Sequence, residues 1–198
     1  MFIPTASRYK RLLTNIGNKQ RMLLLIVTLL PFNALNAHTP YAQWDAYRVR
    51  HLQVLTTRSD LQADAIADKW VAVLAEHLPK SKAVVSRARN FVRMASLLKT
   101  DQAKVAVLSS GDAKAMFEGT APFEEFGPIK LQVLLTDGAY LLVTRADLPE
   151  SHGFLMVSTL LDEETGLNLA VPDTGIHGMK VHAGALAALD EHHELNQQ

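Results

Sequence analysis

The segment "AKVAVLSS", Ala103 to Ser110, constrains the fold more than any other part of the chain. It is an apolar run of strand length that stops on two hydroxyls and gives way to the helical pattern "GDAKAMFEG". A strand that is apolar on both of its alternating faces needs cover on both sides, and parallel sheets flanked by helices supply it. Two similar units precede this one. Leu52 to Thr57, "LQVLTT", reads as a strand, after which Ile66, Trp70, Val73, Leu74 and Leu78 fall on one helical face that Pro79 ends. "KAVVSRA" is a second strand, and Asn90 caps a second helix with the stripe Phe91, Met94, Ala95 and Leu98. Strand, helix, strand, helix, strand predicts a pair of right-handed crossovers and hence an α/β domain, with a sheet covered on both faces as the middle of three layers.

Beyond "SSGDAKAMFEG" the pattern changes. "IKLQVLLTDGAYLLVTR" is two β runs around Asp137-Gly138, which predicts an antiparallel hairpin with a type I′ turn, both central residues having positive φ. Pro149 marks the start of a further helix and Gly166 its stop. The loop "VPDTGIHG" leads to a short helix, Ala185 to Leu189, and a polar tail over 191–198 that is expected to fray. Neither repeats nor a low-complexity linker divide the chain.

The first 37 residues contain no acidic residue; five basic ones precede "MLLLIVTLL" and then "PFNALNA". That order reads as a secretory signal peptide cleaved after Ala37, and it predicts a periplasmic protein. The alternative, an uncleaved membrane tether, is kept open by Leu35, which is larger than the usual small residue before a cleavage site. Removing the segment leaves 15 basic and 20 acidic residues, a net charge of −5 that argues against nucleic acid as a partner. The chain has no cysteine, which excludes disulfides, thiolate metal sites and cysteine catalysis. The domain is therefore expected over 38–190.

Histidines are plentiful but poorly arranged for a metal. His192 and His193 adjoin in the tail, His177 and His182 flank a glycine loop, and no HExxH pattern occurs, so no metal site is expected. Neither a Walker loop nor GxGxxG is present, and no cofactor is expected. Ser109 and Ser110 stand at a strand-to-helix turn, but "SSGD" lacks the glycine that precedes the serine in a nucleophile elbow. A hydrolase would need one of them beside His182, with a third group orienting the imidazole. Instead, the loops after the parallel strands of an open α/β sheet form its crevice. Those loops carry Thr56, Thr57 and Arg58, then Arg87, Arg89 and Asn90, then Ser109, Ser110 and Asp112. From them, Thr57, Arg58, Arg89, Asn90, Ser109, Ser110 and Asp112 form the candidate ligand-binding set, suited to a small carboxylate or other anion. The competing reading of the same residues is ordinary helix capping and solvated charge.

The order of these pieces resembles a known family. "FVRMASLLKTDQAKVAVLSSGDAKAMFEG" is similar to the N-terminal lobe of the TAXI-type solute receptors of TRAP transporters, which have the type 2 periplasmic binding-protein fold. "LQVLLTDGAYLLVTR" resembles that family's paired strands, "ADLPESHGFLMVSTLLDE" its proline-started helix, and "GMKVHAGALAALDEH" its closing stretch. The resemblance implies a non-enzymatic solute-binding protein with a small anionic solute, and a membrane transporter subunit as partner. The chain departs from the family where "LVTRADLPES" passes from hairpin to C-terminal helices with no second α/β lobe, and where "TTRSDLQADA" replaces a glycine-rich ligand stretch. A single lobe lacks the half that would enclose a solute, so a homodimer or another protein is expected to supply the second wall. Two other readings stand beside this one: a scaffold or sensor acting only through protein contacts, and the exported serine hydrolase.

Overall fold

The computed structural model describes residues 51–195, all within the compact unit Tyr47–Gln198. Residues 1–37, the expected signal peptide, residues 38–50 and the last three residues lie outside the described residues. Six strands form one mixed sheet: β1 Gln53–Thr57, β2 Val84–Ala88, β3 Val105–Ser109, β4 Leu131–Thr136, β5 Tyr140–Arg145 and β6 Lys180–Val181, in the order β2-β1-β3-β5-β4-β6. Among the described residues there are five α-helices: α1 Leu61–His77, α2 Phe91–Lys99, α3 Ser110–Glu118, α4 Glu150–Leu161 and α5 Ala183–Leu195.

β1 pairs in parallel with β2 and β3, as the two crossovers require. β5 enters antiparallel beside β3, and β4 and β6 then run parallel to each other on its far side. Hence β1, β2, β3, β4 and β6 all end at one edge of the sheet, and β5 begins there.

Alternation of side chains sorts the core into two layers. On one face Val54, Val105, Val107 and Leu142 pack with Trp70 and Leu74 of α1, Met156, Val157 and Leu160 of α4, and Ala185 and Ala188 of α5. On the other, Leu55, Ala106, Leu108 and Val143 pack with Met94 and Leu98 of α2 and Met116 of α3. The fold is thus α/β in three layers. Leu134 and Leu135 both join the first face because the β4–β5 register shifts between Val133 and Leu135, a β-bulge that places an extra residue on β4.

Four local expectations are corrected. Only Gly138 of the hairpin turn has positive φ, at 98°. Asp137 stays at negative φ because its Oδ1 accepts the N–H groups of Ala139 and Tyr140, which closes a longer loop without a type I′ turn. The two positive φ values in succession occur at His177 (51°) and Gly178 (83°), between the bridged residues Ile176 and Met179. α4 ends at Leu161, and Gly166 instead follows the short 3₁₀ turn Glu163–Thr165. Finally, α5 begins at Ala183 and continues through Glu191 to Leu195, so most of the expected tail is helical.

Candidate functional site

α1 leaves the end of β1 toward one face of the sheet, and α3 leaves the end of the adjacent β3 toward the other. Chains that diverge from neighbouring strands in this way open a crevice between them at the carboxyl edge. Thr57 to Asp60 form one lip and Ser109 to Asp112 the other, with Arg89 and Asn90 beside the first lip after β2. All seven candidate residues are therefore on one edge, but they differ in what remains free.

Four of them are engaged in local turns and caps. Thr57 is buried and its Oγ1 accepts the Ser59 N–H at 3.2 Å. Asn90 caps α2, its Oδ1 accepting from Arg93 N at 2.9 Å. Ser109 caps α3: its Oγ accepts from Asp112 N at 3.1 Å and donates to Asp112 Oδ2 at 2.5 Å. "SSGD" is first of all a reciprocal cap, in which the serine satisfies an orphan amide and the aspartate places a negative charge at the positive end of the helix.

Arg58 and Arg89 are different. Their backbones adjoin, Arg58 N donating to Ala88 O at 3.0 Å, both side chains are exposed, and neither guanidinium has a partner among the described residues. Arg87, two positions before Arg89, is bound by Asp64 and Asp68 of α1, which raise its pKa and take it out of the site.

Two groups that sequence reasoning missed close the inner end of the crevice. The Tyr140 hydroxyl donates to Asp60 Oδ1 at 3.3 Å, while that same oxygen caps α1 by accepting from Gln62 N and Ala63 N. Burial first, then the charge and hydrogen bond of Asp60, with smaller contributions from Asp112 and Asp137, push the phenol pKa up, so Tyr140 keeps its proton and donates it to Asp60. The turn is held down by Ser110 N donating to Ala139 O at 2.9 Å. "DG" marked the turn; nothing local indicated that β5 would insert beside β3 and bring Tyr140 to Asp60. The edge is consequently polarised, with guanidinium groups that have no partner among the described residues over β1 and β2, and three carboxylates, Asp60, Asp112 and Asp137, around the junction of β1, β3 and β5.

The hydrolase arrangement is not formed with His182. That residue is buried, its Nε2 donates to Leu148 O at 3.1 Å and its Nδ1 accepts Gly184 N–H at 3.1 Å, so both ring nitrogens are held by backbone groups near the starts of α4 and α5. Ser110 Oγ instead meets His177 Nε2 at 2.9 Å, on an exposed loop. Among the described residues no group holds His177 Nδ1, so the orienting member of a triad is lacking. Nor does any group of three or more His, Asp or Glu among the described residues stand in position to hold a metal ion.

Compared with known protein families and with curated proteins, the chain matches none.

Proposed function

We propose that the protein is an exported, non-enzymatic solute-binding-type protein, related to the TAXI receptors, that takes a small anion at the carboxyl edge of its sheet. One observation carries the reading: Arg58 and Arg89 lie on adjoining strand ends and neither guanidinium has a partner among the described residues, whereas Arg87 is tied to carboxylates. A guanidinium offers a planar pair of donors that matches a carboxylate or phosphate oxygen pair, and ligand is the natural occupant of donors that the protein leaves free. The site has one wall, so affinity depends on a partner, a second copy or a transporter subunit, that covers it.

A contact-only scaffold is the second reading, and it draws on the caps: Thr57, Asn90, Ser109 and Asp112 already have partners, which leaves few groups to define a solute. Thermal-shift titrations with carboxylates, amino acids, phosphate and sulfonates, read alongside light scattering, separate the two. Anion binding predicts a saturable rise in Tm that follows mass action and disappears in Arg58→Gln plus Arg89→Gln. A flat response to every class in the wild-type protein refutes solute binding and favours the scaffold.

A further inference from the structure

The opposite edge of the sheet, where β4 begins and β5 ends, holds a cleft of about 410 Å³ lined by Lys99, Pro128, Ile129, Lys130, Arg145, Ala146 and Asp147. Its volume lies within the range of small-molecule sites. Its charge is opposed to that of its surroundings: residues 51–195 carry 13 basic and 19 acidic side chains, yet the lining has three cations and one anion.

Arg145 is fixed in place. Nε donates to Asp147 Oδ1 at 2.8 Å and Nη1 donates to Leu98 O and Lys99 O, the last carbonyls of α2, at 2.5 and 3.5 Å. Nη2 donates no hydrogen bond among the described residues. A guanidinium already immobilised on two sides loses little further entropy when its free end binds. Asp147 is paired with Arg145 and Lys104, and Asp101 lies against the same two cations at 3.4 and 3.2 Å, so the net positive charge of the cleft comes from Lys99 and Lys130. Lys130 is exposed and has no partner among the described residues, and Lys99 Nζ rests on Pro128 O at 3.2 Å. Pro128, Ile129 and Ala146 supply apolar surface between these charges.

We infer that this cleft is a second anion site, distinct from the carboxyl edge, for a compact organic molecule with an oxyanion head on an apolar body. Arg145 Nη2 and the two ammonium groups hold the head, and the Pro128–Ile129–Ala146 surface holds the body. The inference is independent of the function proposed above, since none of its residues belongs to the carboxyl-edge set.

Phenyl phosphate and benzoate are suitable probes, with inorganic phosphate as the head alone, titrated by calorimetry and by amide NMR into the protein as its producing cell processes it. The expected result is saturable binding of at least one aromatic probe, tighter than that of inorganic phosphate, with shifts at 128–130 and 145–147. Lys99→Gln plus Lys130→Gln should weaken it about tenfold or more, as loss of charged hydrogen bonds implies, without lowering Tm. Arg58→Gln plus Arg89→Gln should leave it unchanged. Absence of saturation at millimolar probe, shifts confined to other residues, or binding unaffected by the lysine substitutions would each overturn the inference, and equal affinity for inorganic phosphate would remove the apolar half of it.

Discussion

Gly184→Ala tests the packing of the C-terminal helices. Gly184 is the second residue of α5, and a Cβ there would stand 2.1 Å from Glu150 O, 2.5 Å from Phe154 N and 3.1 Å from Glu150 C. These are backbone atoms of α4 and the start of its first turn, so no side chain can swing aside; the helices must separate by about an ångström. Overpacking of this kind costs about 1–3 kcal/mol, against a helix-propensity gain of up to about 1 kcal/mol for replacing glycine. A net loss of about 1 kcal/mol follows, or about 2–4 °C in Tm for a domain of this size. Gly111 provides the matched control. It is the second residue of α3, yet its Cβ would meet only Ser109 Oγ, at 4.0 Å. Gly111→Ala should therefore stabilise by about 0.5 kcal/mol. Urea unfolding followed by far-UV circular dichroism gives both midpoints, and the difference between the two variants isolates the steric term. A Gly184→Ala midpoint at or above that of the wild type would refute the close α4–α5 approach.

Three further expectations concern named side chains. Ser109→Ala should cost about 1 kcal/mol, because it removes the cap of α3, while Ser110→Ala, which breaks only an exposed bond to His177, should stay within about 0.5 kcal/mol of wild type in the same unfolding assay. Thr56→Val should stabilise the fold by about 1 kcal/mol: Thr56 Oγ1 is wholly buried and has no partner among the described residues, so a methyl group in its place removes a desolvation cost. Arg145 above all, then Lys104, holds the Asp147 carboxyl at about 2 against an ordinary 3.8. A depressed carboxyl pKa contributes stability above the unfolded value and loses it as the pH falls through the folded one. Asp147→Asn should thus be less stable than wild type at pH 5, with the gap closing between pH 4 and pH 2 in urea midpoints; the gap should be modest because the side chain is 47% exposed.

Much of the α/β framework was legible because it is written locally. The stripe after Asn90 is an instance: Met94, Ala95 and Leu98 are buried, and Phe91 meets Phe123 edge to face at 5.9 Å. In α1 the reading was only half right. Trp70 and Leu74 are buried, but Ile66, Val73 and Leu78 are half-buried while Ala63, Ala67 and Val71 take the inner face. Alanines give a weak hydrophobic signal, yet they are what allows a helix to approach a sheet closely. Strand order beyond β3 was illegible for a different reason. Whether β4 or β5 lies beside β3 is decided by non-local packing and by bonds such as Ser110 N to Ala139 O, which no local pattern records. The candidate site was legible in its positions and not in its occupancy. Sequence placed hydroxyls, amides and arginines at strand ends, but only the fold shows that Ser109 and Asn90 are already bonded and that Arg58 and Arg89 have no partner among the described residues.

The sheet margins bear on how a partner could cover this lobe. A partner can add a strand to an exposed margin, or it can meet the ends of the strands. One margin is β6, two residues long with Lys180 exposed, and the other is β2, where Arg87 is turned onto α1 by Asp64 and Asp68. A strand this short, or one bearing charge, is a poor template for pairing. Both sheet faces are covered by helices, on which Leu155 of α4 and Leu186 of α5 stay exposed. At the carboxyl end of the strands the chemistry is asymmetric, with the Arg58 and Arg89 guanidinium groups, which have no partner among the described residues, on one side and carboxylates on the other. A second copy related by a two-fold axis would set the Arg58–Arg89 side of each molecule against the Asp112–Asp137 side of the other, a self-complementary match that needs no second lobe within the chain.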